Sequence, residues 1–428
     1  MTAFVLFASL AALLALGVPV AFSIGLATVS AMTAHGLPMV AIAQKALTGI
    51  DSFPLLALPF FLLAAELMSG GSLSEVLLRL ARVLVGHRRG GLGHANVVAL
   101  TFFSGISGSA LADAAGPGAI LIRMMKQSGY PAAYAAALTA TTAVVGPIIP
   151  PSITMVVYAL QDERVSVLSL FWAGVLPGLL ISASLLAWNE WASRRRGFRS
   201  EGEAASWTTI GRATVRAVPA LLLPVLIVGG IHGGAFTPTE ASVVAVFYAL
   251  LVGRFVYRTL AWSMLPSILS RSALMTAGLL LIVTMSSAFA WVLNMAQVPQ
   301  AMSVWVGSLG LGPIGFLFAV NVFLLVFGIF IEPLPGVLIL VPILAPMAAA
   351  LGVDPIHFAI VVIVNLTLGM ITPPVGTLLF VTGQAAGVSP GELNRELWPM
   401  LALQVVVLAA ITLVPSLSTW LPAVMRGG

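Results

Sequence analysis

The sequence LTFFSGISGSALADAAGPG, residues 100–118, decides how this chain folds. It is hydrophobic enough to lie in a membrane, yet glycines, a proline and hydroxyl side chains interrupt its middle. Basic residues flank it on both sides, namely His87, Arg88, Arg89, Arg123 and Lys126. Cytoplasmic loops are rich in Lys and Arg, so both ends are predicted on the cytoplasmic side. Residues 93–125 are therefore predicted to form a re-entrant hairpin, whose irregular tip is buried in protein because unpaired backbone groups cannot face lipid.

The composition is that of a protein that crosses a membrane many times. Of the 428 residues, 60% are hydrophobic and 8% are charged, whereas a soluble domain carries about 25% charged residues. We attribute the net charge of +5 to loop arginines rather than to nucleic-acid binding. The absence of cysteine excludes disulfides and thiolate metal sites. The N-terminal apolar run lacks a basic n-region and a cleavage site, so no cleavable signal peptide is predicted.

An internal repeat divides the chain into two halves. A shift of 223 residues, the separation of Pro150 and Pro373, also places Gly129 on Gly352. We predict a duplicated transmembrane fold, with a first repeat at residues 1–198, a cytoplasmic linker at 199–216 and a second repeat at 217–428. Each repeat pairs a re-entrant hairpin with a broken transmembrane helix. The hairpins are predicted at 93–125 and 314–351, and the broken helices at 132–160 and 356–383.

The charges predict the orientation of the halves. No Lys or Arg occurs between Arg271 and Arg395, so the loops around the second hairpin are predicted to be extracytoplasmic. Arg199 is among the arginines assigned to the cytoplasmic side. Lys45 is counted as the one basic residue that does not fit this orientation. The predicted fold class is thus an all-α polytopic membrane protein with two inverted repeats. A tight turn at residues 17–19 and interfacial amphipathic helices over 41–50, 73–85 and 254–270 complete the prediction.

Both predicted broken helices are interrupted by consecutive prolines, at residues 146–152 and 369–377. Such prolines remove intrahelical hydrogen bonds and free carbonyl groups. Together with hydroxyl groups, these carbonyls offer oxygen ligands to a hard monovalent cation such as Na+, and the half-helix N-termini favour an anionic substrate. The alternative is a kink that serves packing alone. Asp113 and Glu332 stand at the two hairpin tips, where each either handles an ion or caps a turn.

Two functions other than the binding of Na+ and an anionic substrate remain as alternatives. The motif from Gly105 to Gly108 resembles the nucleophile motif of rhomboid intramembrane proteases, with Ser107 as the nucleophile. That chemistry needs a histidine base, and the histidines of this chain fall in or near loops or segment ends. A channel lined by the same hairpins is the second alternative. It would conduct without a partner and would not accumulate its solute.

Several motifs in order make the chain similar to the large membrane subunit of tripartite ATP-independent periplasmic (TRAP) transporters. They lie at residues 58–68, 104–118, 146–152, 236–241 and 372–376, and the resemblance covers essentially the whole chain. It implies a permease, not an enzyme, that imports an organic acid with Na+ as coupling ion and no other cofactor. It also implies an elevator-type fold in the cytoplasmic membrane of a bacterium or archaeon. The implied partners are a small four-helix membrane subunit on a separate chain and a periplasmic protein that delivers the carboxylate.

The resemblance also implies which residues bind the ion and the substrate, several of them through the main chain. One Na+ site would comprise Ser104, Gly105, Ser107, Ser109, Gly146 and Pro150. The other would comprise Glu332, Gly336, Thr372, Pro373, Gly376 and Thr377. The substrate carboxylate is expected between them, beside Ser152, Thr154, Asn365 and Thr377. C4-dicarboxylates, sialic acid, keto acids and sugar acids all remain open as substrates.

Overall fold

The computed structural model describes residues 2–69, 73–198, 200, 205–308 and 310–426, and these residues form helices and connecting turns without a β-strand. Within this part of the chain, six helices are long and apolar enough to span a membrane. A seventh span results if Val40–Ile50 and Phe53–Met68, bent by 64°, are counted as one. The predicted fold class, an all-α polytopic membrane protein, is confirmed. Arg199 and residues 201–204 of the predicted linker lie outside the described residues.

The first half contains eleven α-helices in its described residues. They are α1 (Thr2–Ala15), α2 (Val20–Ala34), α3 (Val40–Ile50), α4 (Ala57–Ser69), α5 (Leu73–Val85), α6 (Gly91–Ser107), α7 (Ala110–Asp113), α8 (Ala119–Gln127), α9 (Ala132–Ala143), α10 (Ile153–Gln161) and α11 (Val167–Arg196). A π-helical turn, Ala114–Gly118, joins α7 to α8. Helices α1 and α2 fold back on one another at Gly17, whose φ is 77°, so the predicted turn is confirmed.

The second half contains ten α-helices in its described residues. They are α12 (Trp207–His232), α13 (Pro238–Leu251), α14 (Leu265–Met295), α15 (Val298–Ser308), α16 (Pro313–Gly328), α17 (Pro333–Ala350), α18 (Pro355–Gly369), α19 (Thr377–Ala386), α20 (Pro390–Leu413) and α21 (Ser416–Arg426). Local chemistry sets several boundaries. For example, α13 begins with a capping box in which Thr237 and Glu240 each accept a hydrogen bond from the other's backbone.

The predicted repeat is visible in the helix boundaries. Helices α8 and α17 end 223 residues apart, at Gln127 and Ala350, and α11 and α20 begin 223 residues apart. Gly129 and Gly352 are both left-handed, with φ of 86° and 75°. The Pro150–Pro151 and Pro373–Pro374 peptide bonds are both cis. The two halves therefore match in their helix ends and turns as well as in their residues. The boundaries of the repeats and their inverted orientation stay predictions.

Each half contains the predicted hairpin and broken helix. Hairpin 1 comprises α6, α7 and α8 and turns at Gly108, and hairpin 2 comprises α16 and α17 and turns at residues 329–332. Break 1, residues 144–152, separates α9 from α10, and break 2, residues 370–376, separates α18 from α19. Each hairpin packs against the first half-helix of its own repeat and the second half-helix of the other repeat. This exchange joins α6–α10 and α16–α19 into one bundle, the core domain.

A second group of helices lies beside the core domain. Helix α14 packs against α2, α3 and α4, and α13 packs against α4 and α12. We call α1–α4 and α12–α14 the scaffold. Helix α5 packs between α12 of the scaffold and α6 of hairpin 1, and α14 contacts α17 of hairpin 2.

Two segments between the helices differ from expectation. The amphipathic helix predicted over 254–270 is wrong, because the chain leaves helical geometry at Arg258, whose φ is 55°. The amides of Thr259 and Leu260 both bond to the carbonyl of Gly253, at 3.0 and 3.2 Å, which ends the preceding π-helical turn. Within the segment predicted as a linker, α12 already begins at Trp207, because the side chain of Ser206 accepts a hydrogen bond from the first turn.

Candidate functional site

The tip of hairpin 1 is held against break 1 by glycine. Gly108 follows the last residue of α6 with φ of 61°, a conformation that L side chains rarely adopt. A Cβ at this position would lie 2.6 Å from the carbonyl oxygen of Pro151. Ser109 then caps α7 by accepting a hydrogen bond from the amide of Ala112, at 3.4 Å. The backbone of the tip therefore lies in direct contact with the backbone of break 1.

Break 1 meets the same tip through Gly146. A Cβ there would lie 2.9 Å from the amide nitrogen of Ala110 and 3.0 Å from Oδ2 of Asp113. Gly105, one turn before the tip, faces the carbonyl oxygen of Pro150, and Ser104 beside it is fully buried. The residues of the first predicted Na+ site are therefore brought together, although their role in binding Na+ stays a prediction.

The carboxylate of Asp113 lies at the centre of this cluster and is 1% exposed. The hydroxyl of Ser107 donates to its Oδ1 at 2.5 Å and accepts from the amide of Ser109 at 3.2 Å. Oδ2 has no hydrogen-bond partner among the described residues. A buried, unpaired carboxylate oxygen is costly unless a cation or proton meets it. Ser109, and not Asp113, caps α7, so Oδ2 of Asp113 is left without a partner among the described residues, and a role of Asp113 in ion handling stays a prediction.

The second cluster is built from another pair of glycines. A Cβ on Gly369, at the end of α18, would lie within 2.6 Å of the backbone of Gly328 in hairpin 2. A Cβ on Gly336 would lie 3.0 Å from the side chain of Leu366. These two contacts bring the start of α17 and the end of α16 against the end of α18.

The polar groups at break 2 are less closely joined. The hydroxyl of Thr372 donates to the carbonyl of Leu368 at 2.9 Å, whereas that of Thr377 is buried without a partner among the described residues. Gly376 precedes α19 with φ of 31°, and Pro373 lies within the break. Glu332 takes the N-cap position of α17 without a capping hydrogen bond. In the described residues no hydrogen bond joins Glu332 to break 2, so the second predicted set is only partly assembled.

The predicted substrate residues are buried or half-buried, but no hydrogen bond connects their side chains. Ser152 caps α10, because its hydroxyl accepts from the amide of Met155 at 3.2 Å and donates to the carbonyl of Pro147 at 2.5 Å. The amide group of Asn365 donates to Oδ1 of Asn321 at 2.7 Å and so ties α18 to α16. Thr154 is buried in the first turn of α10. Sequence patterns did not indicate the contact with Asn321, which pairs residues on different helices.

The surroundings of Ser107 do not fit a nucleophile. Its hydroxyl is bonded to a carboxylate and a backbone amide, and no described histidine contacts it. His94 contacts Asn189 at 2.9 Å, and His357 contacts the carbonyl of Thr412 at 3.2 Å. No group of three or more His, Asp or Glu residues that could hold a metal ion occurs in the part of the chain that the structure describes. Among the described residues, Ser107 therefore has no histidine beside it that could act as the base of a rhomboid-type protease.

Paired hairpins and proline-interrupted helices inside a repeated, membrane-spanning bundle are the architecture of a secondary transporter. The family model for the tripartite ATP-independent periplasmic transporter, DctM component, matches residues 7–417 of this chain. The chain belongs to this family, whose members are large permease subunits of TRAP transporters and not enzymes.

Relatives agree with this assignment, and one solved structure shares the fold. The chain is 38% identical to the sialic acid TRAP transporter large permease protein SiaM of Vibrio cholerae, over 97% of each chain. It is 37% identical to the C4-dicarboxylate permease DctM of Rhodobacter capsulatus, over 99% of each chain. It is 38% identical to the isethionate permease DctMQ of Oleidesulfovibrio alaskensis, over 96% of this chain and 65% of that longer protein. The YdaH transporter of Alcanivorax borkumensis shares the fold alone, with 15% identity, a TM-score of 0.62 and 86% of each chain covered.

Proposed function

We propose that this chain is the large permease of a TRAP system that imports an organic carboxylate with Na+ as the coupling ion. It acts in the bacterial cytoplasmic membrane with a small membrane subunit and a periplasmic binding protein. The relatives' names support an organic acid as the substrate, since sialic acid and C4-dicarboxylates both carry carboxylates. Sialic acid and C4-dicarboxylates are named for the relatives. For the substrate of this chain we propose only that it carries a carboxylate group.

The buried Oδ2 of Asp113 is the observation that carries the proposal. It lies beside Gly146, within the cluster where the carbonyl oxygens of Pro150 and Pro151 face the tip of hairpin 1. An unpaired carboxylate oxygen with nearby carbonyl and hydroxyl oxygens is a donor set for a hard cation. Na+ at this position would satisfy the carboxylate and join the hairpin to the broken helix.

The second Na+ site is proposed at break 2, where the hydroxyl of Thr377 has no partner among the described residues. The substrate carboxylate is proposed between the clusters, where α10 and α19 begin at Ile153 and Thr377. The N-terminus of a helix carries partial positive charge and unpaired amides, so these starts favour an anion. Ser152, Thr154, Asn365 and Thr377 stay the proposed side chains around it.

Transport is proposed to occur by movement of the core domain against the scaffold, as in an elevator. Each hairpin contacts a half-helix of both repeats, so the core domain holds together through contacts between the halves. Inverted repeats of this kind provide two related arrangements of the same parts, one open to each side of the membrane. The coupling ion would stabilise the core domain before it moves.

The first test is the thermal stability of the purified chain in NaCl against choline chloride at equal ionic strength. A cation that binds only the folded state stabilises it by about 2.7 kcal/mol at 100 times its Kd. We expect a saturable increase in Tm with Na+ alone, weakened in Ser107→Ala and Thr377→Ala. Ser286→Ala is the matched control, because Ser286 is buried in the scaffold without a partner among the described residues. Identical curves in both salts would contradict Na+ binding.

The second test is uptake by proteoliposomes that contain both membrane subunits and receive the binding protein loaded with carboxylate. We expect accumulation against a gradient only when Na+ is imposed from outside. Conductance without the binding protein, and no accumulation, would support the channel instead.

A further inference from the structure

A cavity of about 380 Å³ lies between the scaffold and the core domain. Its polar lining consists of Lys45, Ser52, Gln161, Ser287 and Asn294. Pockets that bind small molecules begin at about 300 Å³, so the cavity has room for a small organic acid. It is separate from the two clusters at the hairpin tips, whose residues do not line it.

The charge pattern predicts that this cavity opens on the extracytoplasmic side. Helix α14 has Arg271 near its start and Asn294 near its end, and Gln161 ends the half-helix that leads away from break 1. The same pattern places Arg164 on the extracytoplasmic side. Arg164 is therefore a second basic residue, besides Lys45, that does not lie on the cytoplasmic side. Arg164 is neutralised, because its guanidinium bonds to both carboxylate oxygens of Asp162, at 2.7 and 2.8 Å.

Lys45, in contrast, has no carboxylate within ion-pair distance among the described residues. The side-chain amides of Gln161 and Asn294 make no hydrogen bond to any described residue, so their donors are also available. Helix α3 is held in place beside them, because the side chain of Ser287 packs directly on Gly49 where a Cβ would otherwise lie. A fixed helix thus supplies one unpaired cation to a cavity that contains two unpaired amides.

We propose that Lys45, Gln161 and Asn294 form an extracytoplasmic binding site for a small organic carboxylate. The ammonium of Lys45 pairs with the carboxylate, and the two amides donate hydrogen bonds to it. This inference rests on the proposed function and adds a first binding step, at which the substrate enters before it reaches the hairpin tips. A single sign of charge in a cleft also raises the local concentration of an oppositely charged ligand.

The position of the site also makes it dependent on conformation. Lys45 and Asn294 belong to the scaffold, whereas Gln161 belongs to α10 of the core domain. A displacement of the core domain against the scaffold therefore changes the position of Gln161 relative to Lys45 and Asn294. The site then holds the carboxylate less tightly wherever the three donors no longer converge on it.

The first experiment measures the acetylation rate of Lys45 in the purified permease with an N-hydroxysuccinimide ester, read by peptide mass. Apart from Lys45 the chain has one lysine, Lys126, which donates a hydrogen bond to the carbonyl of Ala386 and serves as the internal control. Succinate and sialic acid are the probes, and neutral succinamide is the control, all at constant ionic strength. We expect at least one acid to slow acetylation of Lys45 saturably, by fivefold or more, with Lys126 unaffected. Equal effects on both lysines, or none on either, would overturn the proposal.

The second experiment measures Na+-driven uptake of the protecting acid by the complete system. Lys45→Gln should raise the substrate concentration at half-maximal rate fivefold or more and leave the maximal rate and Na+ dependence unchanged. Lys45→Arg should restore most of the loss, and Lys126→Gln should behave as the unchanged protein. Uptake that is unaffected in Lys45→Gln would overturn the entry site and leave the proposed function standing. A lack of Na+ dependence in the unchanged protein would overturn the proposed function, and the acetylation result would still decide the anion site.

Discussion

The glycines around the tip of hairpin 1 determine how closely two segments of backbone approach. Gly146→Ala would place a methyl group 2.9 Å from the amide of Ala110 and 3.0 Å from Asp113. Overpacking of this kind costs about 1–3 kcal/mol, so we expect a lower Tm and a weaker stabilisation by Na+. Both are measured by thermal unfolding in NaCl and choline chloride. Gly116→Ala is the control, since a Cβ at Gly116 meets nothing within 4 Å, and equal effects in both variants would contradict this geometry.

How far single residues were predictable from the sequence depended on the range of their contacts. Ser107, Gly108 and Ser109 form a turn whose partners are neighbours in sequence, so their pattern indicated the tip directly. Asn365 was predicted beside the substrate, which stays a prediction, but its hydrogen bond to Asn321, 44 residues away on another helix, was not predicted. Side-chain identity cannot reveal such a partner, because helix packing decides which of several polar groups meets it. The cavity beside Lys45 was missed for the same reason.

At the scale of the helices, a direct contact between two glycines joins α16 to α18 in the second repeat. The backbone of Gly328 occupies the space where a Cβ of Gly369 would lie. We predict that Gly369→Ala separates the two helices and destabilises the protein by about 1–3 kcal/mol. Gly278→Ala in α14 is the matched control, because Gly278 has no heavy atom near the Cβ position. Thermal unfolding of both variants checks this, and a Tm for Gly369→Ala equal to that of the control would contradict it.

The sequence predicted helices better where a repeat or a cap supported them. The 223-residue shift related the two predicted hairpins and the two predicted broken helices to each other, and helices begin and end within a few residues of those ranges. The segment 254–270 had helical spacing of apolar residues but no cap, and its helix failed at Arg258. There, two amides bond to one carbonyl in place of the helical ladder. The spacing of apolar residues alone cannot show that these turn hydrogen bonds replace the helical ones.

At the scale of the whole molecule, the two repeats exchange contacts. Helix α19 packs on hairpin 1, and α10 packs on hairpin 2. Equivalent half-helices therefore support each other's hairpins, as expected for repeats related by a two-fold axis. If that axis lies in the membrane plane, the hairpins enter from opposite sides. The bases of the hairpins, at the ends of α8 and α17, would then face opposite compartments.

Gln127 and Ala350 provide a direct test of this inversion, because they are equivalent in the repeats and both exposed. The chain has no cysteine, so a single introduced thiol reports one position. We predict that a membrane-impermeant maleimide, applied to the outer face of the cytoplasmic membrane in spheroplasts, labels Ala350→Cys. Gln127→Cys should react only after permeabilisation, because Arg123 and Lys126 hold that end in the cytoplasm. If both variants react from the same side, the repeats are parallel, and a mechanism based on inverted repeats fails for this protein.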